Sequence, residues 1–354
     1  MEKKQKYDLT IAGVILSGIL LGVGGVILEK FGNPFRTGIC VSCFMENIAG
    51  SLGFHANSRM QYIRPEVAGF IIGAFLLSLI RNEFNVRGGQ SPLIRFMLGV
   101  LMMIGAGVYI GCPIKLFYRI SGGEIMGVVG LAGLIAGVWV GGEYIKSGFS
   151  LGESRPLKSV EGIFIPMTAF ILLIFVFIKP SFILQSSSGP GTRFSPVYLS
   201  LFIGLIIGGV CYYSRYCVLG SISNFILGRE TTLLYGSFAF LISAFLSYFF
   251  VKDFQPGIIA YQGSSPDYLW DFLSMGLVGF SGALAGGCPF RQMILAGSGD
   301  SDAGITVLGL FAGGAILQNF NLNSTAGGVT FNGQAAVLFG FALCIIIGLA
   351  NREI

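Results

Sequence analysis

The sequence predicts an all-α polytopic membrane protein of about ten transmembrane helices, arranged as two inverted repeats with re-entrant half-helices that carry cysteines. Three observations carry that expectation. Apolar stretches of bilayer-spanning length recur along the whole chain, since about 20 residues of helix cross about 30 Å of hydrocarbon. Four cysteine-led segments between them are too apolar for ordinary loops and too short to cross. Finally, a Gly-Cys-Pro-x-basic motif occurs twice, at Gly111 to Lys115 and at Gly287 to Arg291.

Composition agrees. Of 354 residues 53% are hydrophobic and only 11% are charged, with mean hydropathy +0.78, whereas a soluble domain is about one-quarter charged. No separate extramembrane domain is expected, because no long polar segment parts the apolar stretches. The net charge of +5 is spread over short loops without a basic stripe. That pattern excludes nucleic-acid binding and fits topology signals and anion attraction. The basic start Met1 to Tyr7 runs into one continuous apolar span without an A-x-A-like cleavage site, so it reads as the first transmembrane helix and not as a signal peptide.

In chain order the expected spans are 9–28, 65–80, 93–110, 125–144, 163–178, 197–213, 232–250, 269–285, 305–320 and 335–349. If all ten cross, 13 Lys and Arg residues fall on the N-terminal side and 9 opposite, which favours both termini in the cytoplasm. The short segments 35–50, 112–120, 217–227 and 288–296 read as re-entrant half-helices. Irregular backbone at membrane depth is tolerated only where protein or a water-filled cavity satisfies it, so these segments mark a transport path.

The two Gly-Cys-Pro motifs are offset by 176 residues (Cys112 to Cys288), and the offset also pairs Phe96 with Phe272, Gly107 with Ala283, Glu124 with Asp300, Gly133 with Gly309 and Gly137 with Gly313. With one residue of slippage, Cys40 and Asn47 pair with Cys217 and Asn224. The expected organisation is a first membrane repeat at 1–150, a connecting helix and loops at 151–196, and a second membrane repeat at 197–354. One extra crossing between them inverts the second half. Cys40 and Cys112 are then reached from outside and Cys217 and Cys288 from inside, so all four converge near the midplane, as in a two-sided pathway.

Proline suits the first turn of a helix, and the preceding glycine permits a sharp bend. The cysteine between them therefore sits at a helix N-terminus, where unpaired amides favour an anion or thiolate. Lys115 and Arg291 add positive charge for anion attraction, three residues after each cysteine. A soft, polarisable anion of sulfur or selenium fits such a site: a thiol offers it a weak S–H donor, and a thiolate could relay it covalently. The expected substrate path is Cys112, Cys288, Cys40, Cys217 and Cys43, with polar lining from Asn47, Asn224 and Gln292. Cys43 completes a Cys-x-x-Cys pair with Cys40, and a disulfide or redox role for it stays open.

Other chemistry-bearing residues have plainer readings. Cys211 and Cys344 lie inside apolar spans without a companion motif, and free Cys is commonly a small buried hydrophobe. His55 sits in a polar loop and is expected to be solvated. Asp300, Asp302 and Glu124 precede apolar helices and are expected to cap them. Tyr109, Tyr118, Tyr212, Tyr213 and Tyr216 are expected in interface belts rather than pocket walls. Seven cysteines and one histidine, without zinc-type spacing, give no metal site, and no cofactor or catalytic residue is expected.

Five stretches together, Gly38 to Gly50, Tyr62 to Glu66, Gly111 to Lys115, Ser214 to Cys217 and Gly286 to Gln292, resemble the YeeE/YedE family of sulfur-transport membrane proteins, and most of all its branch linked to selenium metabolism. The resemblance implies an inner-membrane carrier whose cysteines pass the ion by S–H to sulfur hydrogen bonds. On the matching motifs that role falls first to Cys112 and Cys288, then to Cys40 and Cys217. The function expected is import of a small selenium-containing compound, with thiosulfate as the alternative and a membrane thiol or selenium redox enzyme as the second. The partners expected are a small sulfur or selenium species, the lipid bilayer and a cytoplasmic sulfurtransferase-like acceptor.

Overall fold

Lipid offers no partner to backbone N–H and C=O groups, so a spanning chain must satisfy them internally, and the helix does so within one segment. The computed structural model describes residues 11–257, 267–325 and 327–352. The basic segment at 1–7, the start of the span expected at 9–28 and residues 353–354 of the second repeat lie outside them.

The described residues form α1 (Ile11–Lys30), α2 (Val41–Ser51), α3 (Pro65–Ile80), α4 (Pro92–Tyr109), α5 (Pro113–Ser121), α6 (Ile125–Lys146) and α7 (Ser159–Ile178). These are followed by α8 (Val197–Ser214), α9 (Val218–Gly228), α10 (Thr232–Phe250), α11 (Tyr268–Ala285), α12 (Pro289–Gly297), α13 (Ser301–Asn319) and α14 (Phe331–Ala350). The only sheet among them is a two-residue antiparallel pair, β1 (Arg87–Gly88) with β2 (Arg155–Pro156). The protein is therefore an all-α polytopic membrane protein. Nine stretches among the described residues have the length and apolarity to cross a bilayer, and α3, with 16 residues, is shorter.

Every expected span is a helix, and each of the four short segments is a separate half-helix. The first starts later than expected, at Val41 instead of residue 35, because Pro34 and the left-handed Gly38 (φ 46°) hold the preceding loop out of helical geometry. Long, short, long, long, short, long is the order from α1 to α6; it recurs from α8 to α13, with α7 and α14 following each set.

Contacts between the two sets are reciprocal. An added Cβ at Gly133 of α6 would lie 2.0 Å from the Phe272 carbonyl oxygen of α11, and one at Gly309 of α13 would lie 2.1 Å from the Phe96 oxygen of α4. Both members of the second contact are the 176-residue counterparts of the first. Likewise α1 packs on α10 and α3 on α8. Small residues give membrane helices this close approach, because lipid supplies no hydrophobic drive between helices and dispersion must hold them.

Loop contacts sort the helix ends onto two faces. One carries the 31–64, 110–124 and 179–196 segments with the ends of α10 and α13, joined by Ser195 Oγ to Leu28 O, Leu184 N to Ser51 O and Asn319 Nδ2 to Phe54 O (2.8 Å). The other carries 81–91, 147–158, 286–300 and the end of α14, joined by Arg87 to Asp300 (3.2 Å) and by Phe149 to Arg352. On the outside of the bundle, α14 buries one stripe, Gly333, Val337, Gly340, Cys344 and Gly348, at helical spacing, and turns Leu338, Phe339, Ile345, Ile346 and Leu349 outward. Cys344 on that stripe is a packing residue, as expected.

Candidate functional site: a row of thiols at four helix N-termini

Each half-helix begins on a cysteine. Cys40, Cys112, Cys217 and Cys288 are the N-cap residues of α2, α5, α9 and α12, all in extended backbone geometry. Two local solutions produce the same start. In α2 and α9 the cysteine sulfur itself accepts the orphan amide of the third residue, from Cys43 N (3.5 Å) and Gly220 N (3.3 Å). In α5 and α12 proline follows, so the first amide to be satisfied is already absent.

The chain reverses just before each Gly-Cys-Pro. Gly286 does so with φ 80°, whereas its counterpart, the β-branched Ile110, is held at φ 57°. Arg119 holds it there, donating from Nη1 to Tyr109 O (3.2 Å) and from Nη2 to Ile110 O (3.3 Å). On the other side Gln292 Nε2 and Arg95 Nη1 both donate to Ala285 O, at 3.0 and 3.2 Å. Lys115 folds back over Gly111 and Arg291 over Gly287: a Cβ there would meet the Lys115 Cδ at 2.8 Å and the Arg291 Cγ at 2.9 Å. Glycine at these positions therefore lets the cation lie beside the cysteine that precedes it by three residues.

The sulfurs form two groups. Cys40 Sγ lies 3.0 Å from Cys43 Sγ and beside Cys112, with the Lys115 ammonium 3.9 Å from Cys43 Sγ. Cys217 Sγ lies 3.5 Å from Cys288 Sγ, with Arg291 close by. Cys112 and Cys288 are within electrostatic reach of each other across the two groups. Of these five cysteines only Cys43 is partly exposed.

The polar residues expected to line the path divide. Asn47 donates to Cys43 O (2.6 Å) and leaves its buried Oδ1 without a partner; Gln292 leaves its buried Oε1 likewise unpaired. Asn224 is not brought to the sulfurs: its amide donates to Glu230 Oε2 (3.2 Å) at the exposed end of α9.

Several groups near the sulfurs were not singled out from sequence. Glu46, one turn after Cys43, is buried and accepts from Gln318 Nε2 (2.6 Å) and Asn323 Nδ2 (2.8 Å). Arg64 is fully buried, stacks on Phe44 and Tyr62, and bonds Asn33 Oδ1 (3.4 Å) and Pro190 O (3.1 Å). Both lie inside the motif stretches quoted above, and charged residues embedded in such apolar segments were the available signal.

Three plainer expectations are corrected. His55 is buried, not solvated: one ring nitrogen faces Glu46 O (2.9 Å) and the other accepts Asn57 N (3.2 Å), and burial pushes its pKa below the ordinary histidine value against the pull of the Glu46 carbonyl. Glu124 stands at the N-cap position of α6, but its side chain makes no capping hydrogen bond. It lies between Arg36 (3.9 Å) and Arg119 (3.7 Å) in a buried ion cluster, where two cations outcompete a helix end. Asp300 does cap α13, accepting Ala303 N (2.9 Å), while Asp302 accepts Gly89 N and Gln90 N from the β1 loop. Tyr109, Tyr118 and Tyr216 are buried walls and not interface belts, and Tyr118 fills the space above Gly25 and Gly38.

Residues 2–140 match the family described as Sulphur transport. A relative named as a thiosulfate transporter, TsuA of Spirochaeta thermophila, is 28% identical over 121 residues. The aligned segment is 32% of this chain and 34% of that protein, so about one-third of the relative's length is matched. The matched residues 2–140, well under half of the chain, carry α1 to α5 and the cysteines 40, 43 and 112, and it is this segment that is similar to the Sulphur transport family.

Proposed function

We propose that the protein imports a small sulfur anion of the thiosulfate class through the row of thiols. The observation that carries this reading is the convergence of four cysteines, each the N-cap of its own half-helix. A thiosulfate-like dianion has a soft terminal sulfur and charged oxygens. Thiols meet the sulfur with weak S–H contacts, and the helix N-termini with Lys115 and Arg291 meet the charge. Conduction needs sites attractive enough to enter and weak enough to leave; a series of thiols meets both conditions better than one strong cation clamp. The motifs resemble the selenium-linked branch, but the matched relative is named for thiosulfate, so sulfur is the element proposed.

The same reading takes 1–150 and 197–354 as inverted repeats about the 151–196 connection, in the cytoplasmic membrane, with the face of residues 31–64 outside. Cys40, Cys43, Cys112 and Lys115 serve the outer side; Cys217, Cys288 and Arg291 serve the inner side. A sulfurtransferase-like acceptor would receive the cargo in the cytoplasm.

Uptake of labelled thiosulfate, and separately of labelled selenium compounds, into proteoliposomes tests it. Thiosulfate uptake in the wild type that falls to the empty-liposome level in Cys112→Ala and in Cys288→Ala supports the thiol path. Full uptake in both variants refutes it, and uptake of a selenium compound alone would return the cargo to selenium.

A further inference from the structure

The two halves differ at one thiol. Cys217 and Cys40 cap their half-helices in the same way, but the residue three positions on is Gly220 in one and Cys43 in the other. Position 43 therefore carries a sulfur that the cap does not require. It stands 3.0 Å from Cys40 Sγ, and a disulfide needs about 2.05 Å, so closing the bond takes a shift of about 1 Å within one helical turn.

Access is equally one-sided. Cys43 is partly exposed, whereas Cys40, Cys112, Cys217 and Cys288 are buried. The 3.5 Å Cys217–Cys288 pair is close as well, yet neither of its sulfurs is open to a bulky reagent. The Lys115 ammonium 3.9 Å from Cys43 Sγ places positive charge beside the one partly exposed cysteine of the five, and Cys40 holds its own sulfur at a helix N-terminus, an environment that favours thiolate chemistry.

The geometry points to Cys40 and Cys43 as a reversible dithiol/disulfide site that a small-molecule disulfide oxidises from the face carrying residues 31–64, and whose closure withdraws Cys40 from the path. The chemistry is thiol–disulfide exchange. The Cys43 thiolate attacks the external disulfide, forms a mixed disulfide and expels one thiolate. The Cys40 thiolate then attacks Cys43 Sγ and expels the second. Two protein thiols are oxidised, one external disulfide is reduced to two thiols, and the two protein protons leave with them. Afterwards Cys40 has no S–H to offer and Cys43 is no longer free to meet an anion. The disulfide site stands on geometry alone; its effect on flux rests on the transport reading.

Glutathione disulfide is the probe. The full-length protein is equilibrated with glutathione redox buffers, free thiols are counted, and the linkage is mapped by mass spectrometry before and after dithiothreitol. The expected result is the reversible loss of two thiols with a Cys40–Cys43 link, absent in Cys43→Ser. In parallel, thiosulfate uptake by oxidised proteoliposomes falls at least ten-fold and returns on reduction. Failure of the Cys40–Cys43 link to form, or a link at Cys217–Cys288 in its place, overturns the assignment. A Cys40–Cys43 link that leaves uptake unchanged overturns the gating. A link that forms in a protein without uptake in either state upholds the redox site and sinks the transport reading instead.

Discussion

Replacing Lys115 by glutamine removes a positive charge from the sulfur row while keeping most of the side chain. The ammonium is buried and 3.9 Å from Cys43 Sγ, so an anion seated at that sulfur would lie about 4 Å from it. Two unit charges at that separation interact by about 4 kcal/mol at an effective dielectric of about 20. That figure is a ceiling, because binding also strips water from the anion. Hydrogen bonds to charged groups contribute about 1.5–3 kcal/mol net, which corresponds to about a ten- to a hundred-fold loss of apparent affinity. Concentration-dependent uptake into proteoliposomes should show KM raised by that factor in Lys115→Gln. Lys115→Arg, which keeps the charge, should lie much closer to the wild type. A Lys115→Gln protein with wild-type KM would show that the cation takes no part in anion recognition, and the electrostatic half of the proposed mechanism would fail with it.

Three further expectations concern the scaffold. Gly133→Ala and Gly309→Ala should each destabilise by about 1–3 kcal/mol in thermal unfolding of the detergent-solubilised protein, because the new methyl meets a backbone oxygen at 2.0 and 2.1 Å; a variant that melts like the wild type would contradict the reciprocal packing. Gly286→Ala should cost about 1–2 kcal/mol from backbone alone, since φ is 80° there and nothing lies within 4 Å of the added Cβ. His55, whose folded pKa lies below its unfolded value of about 6.5, must bind a proton on unfolding at acid pH. Stability should therefore decline as pH falls below about 6.5 and level off once pH passes the lowered folded value. The decline should be shallower in His55→Gln, and identical pH profiles for the two proteins would remove His55 as its source.

Much of this was legible along the chain. Span length and the absence of charge locate the long helices, because hydrocarbon thickness sets one and desolvation cost the other. Gly-Cys-Pro marks the start of a half-helix through local chemistry alone, and both copies begin where the motif says. The start of α2 was less legible, since an apolar loop and an apolar helix look alike until Pro34 and Gly38 are weighed.

The partners of charged residues were not legible. Glu46 meets Gln318 and Asn323 across 272 and 277 residues, and no pattern within a half-helix encodes so distant a neighbour. Glu124 has the position of a cap, but helix packing brings Arg36 and Arg119 to it first.

Length, polarity and first-turn chemistry, all readable along the chain, are enough to say which segments are helical, which are too short to cross, and that a cysteine heads each of the latter. That the thiols gather in two groups, that Cys43 alone of the five is partly exposed, and that Asn224 stands apart are matters of packing. Those relations depend on glycine contacts that set the helix separations, and they exist only once both halves have packed together.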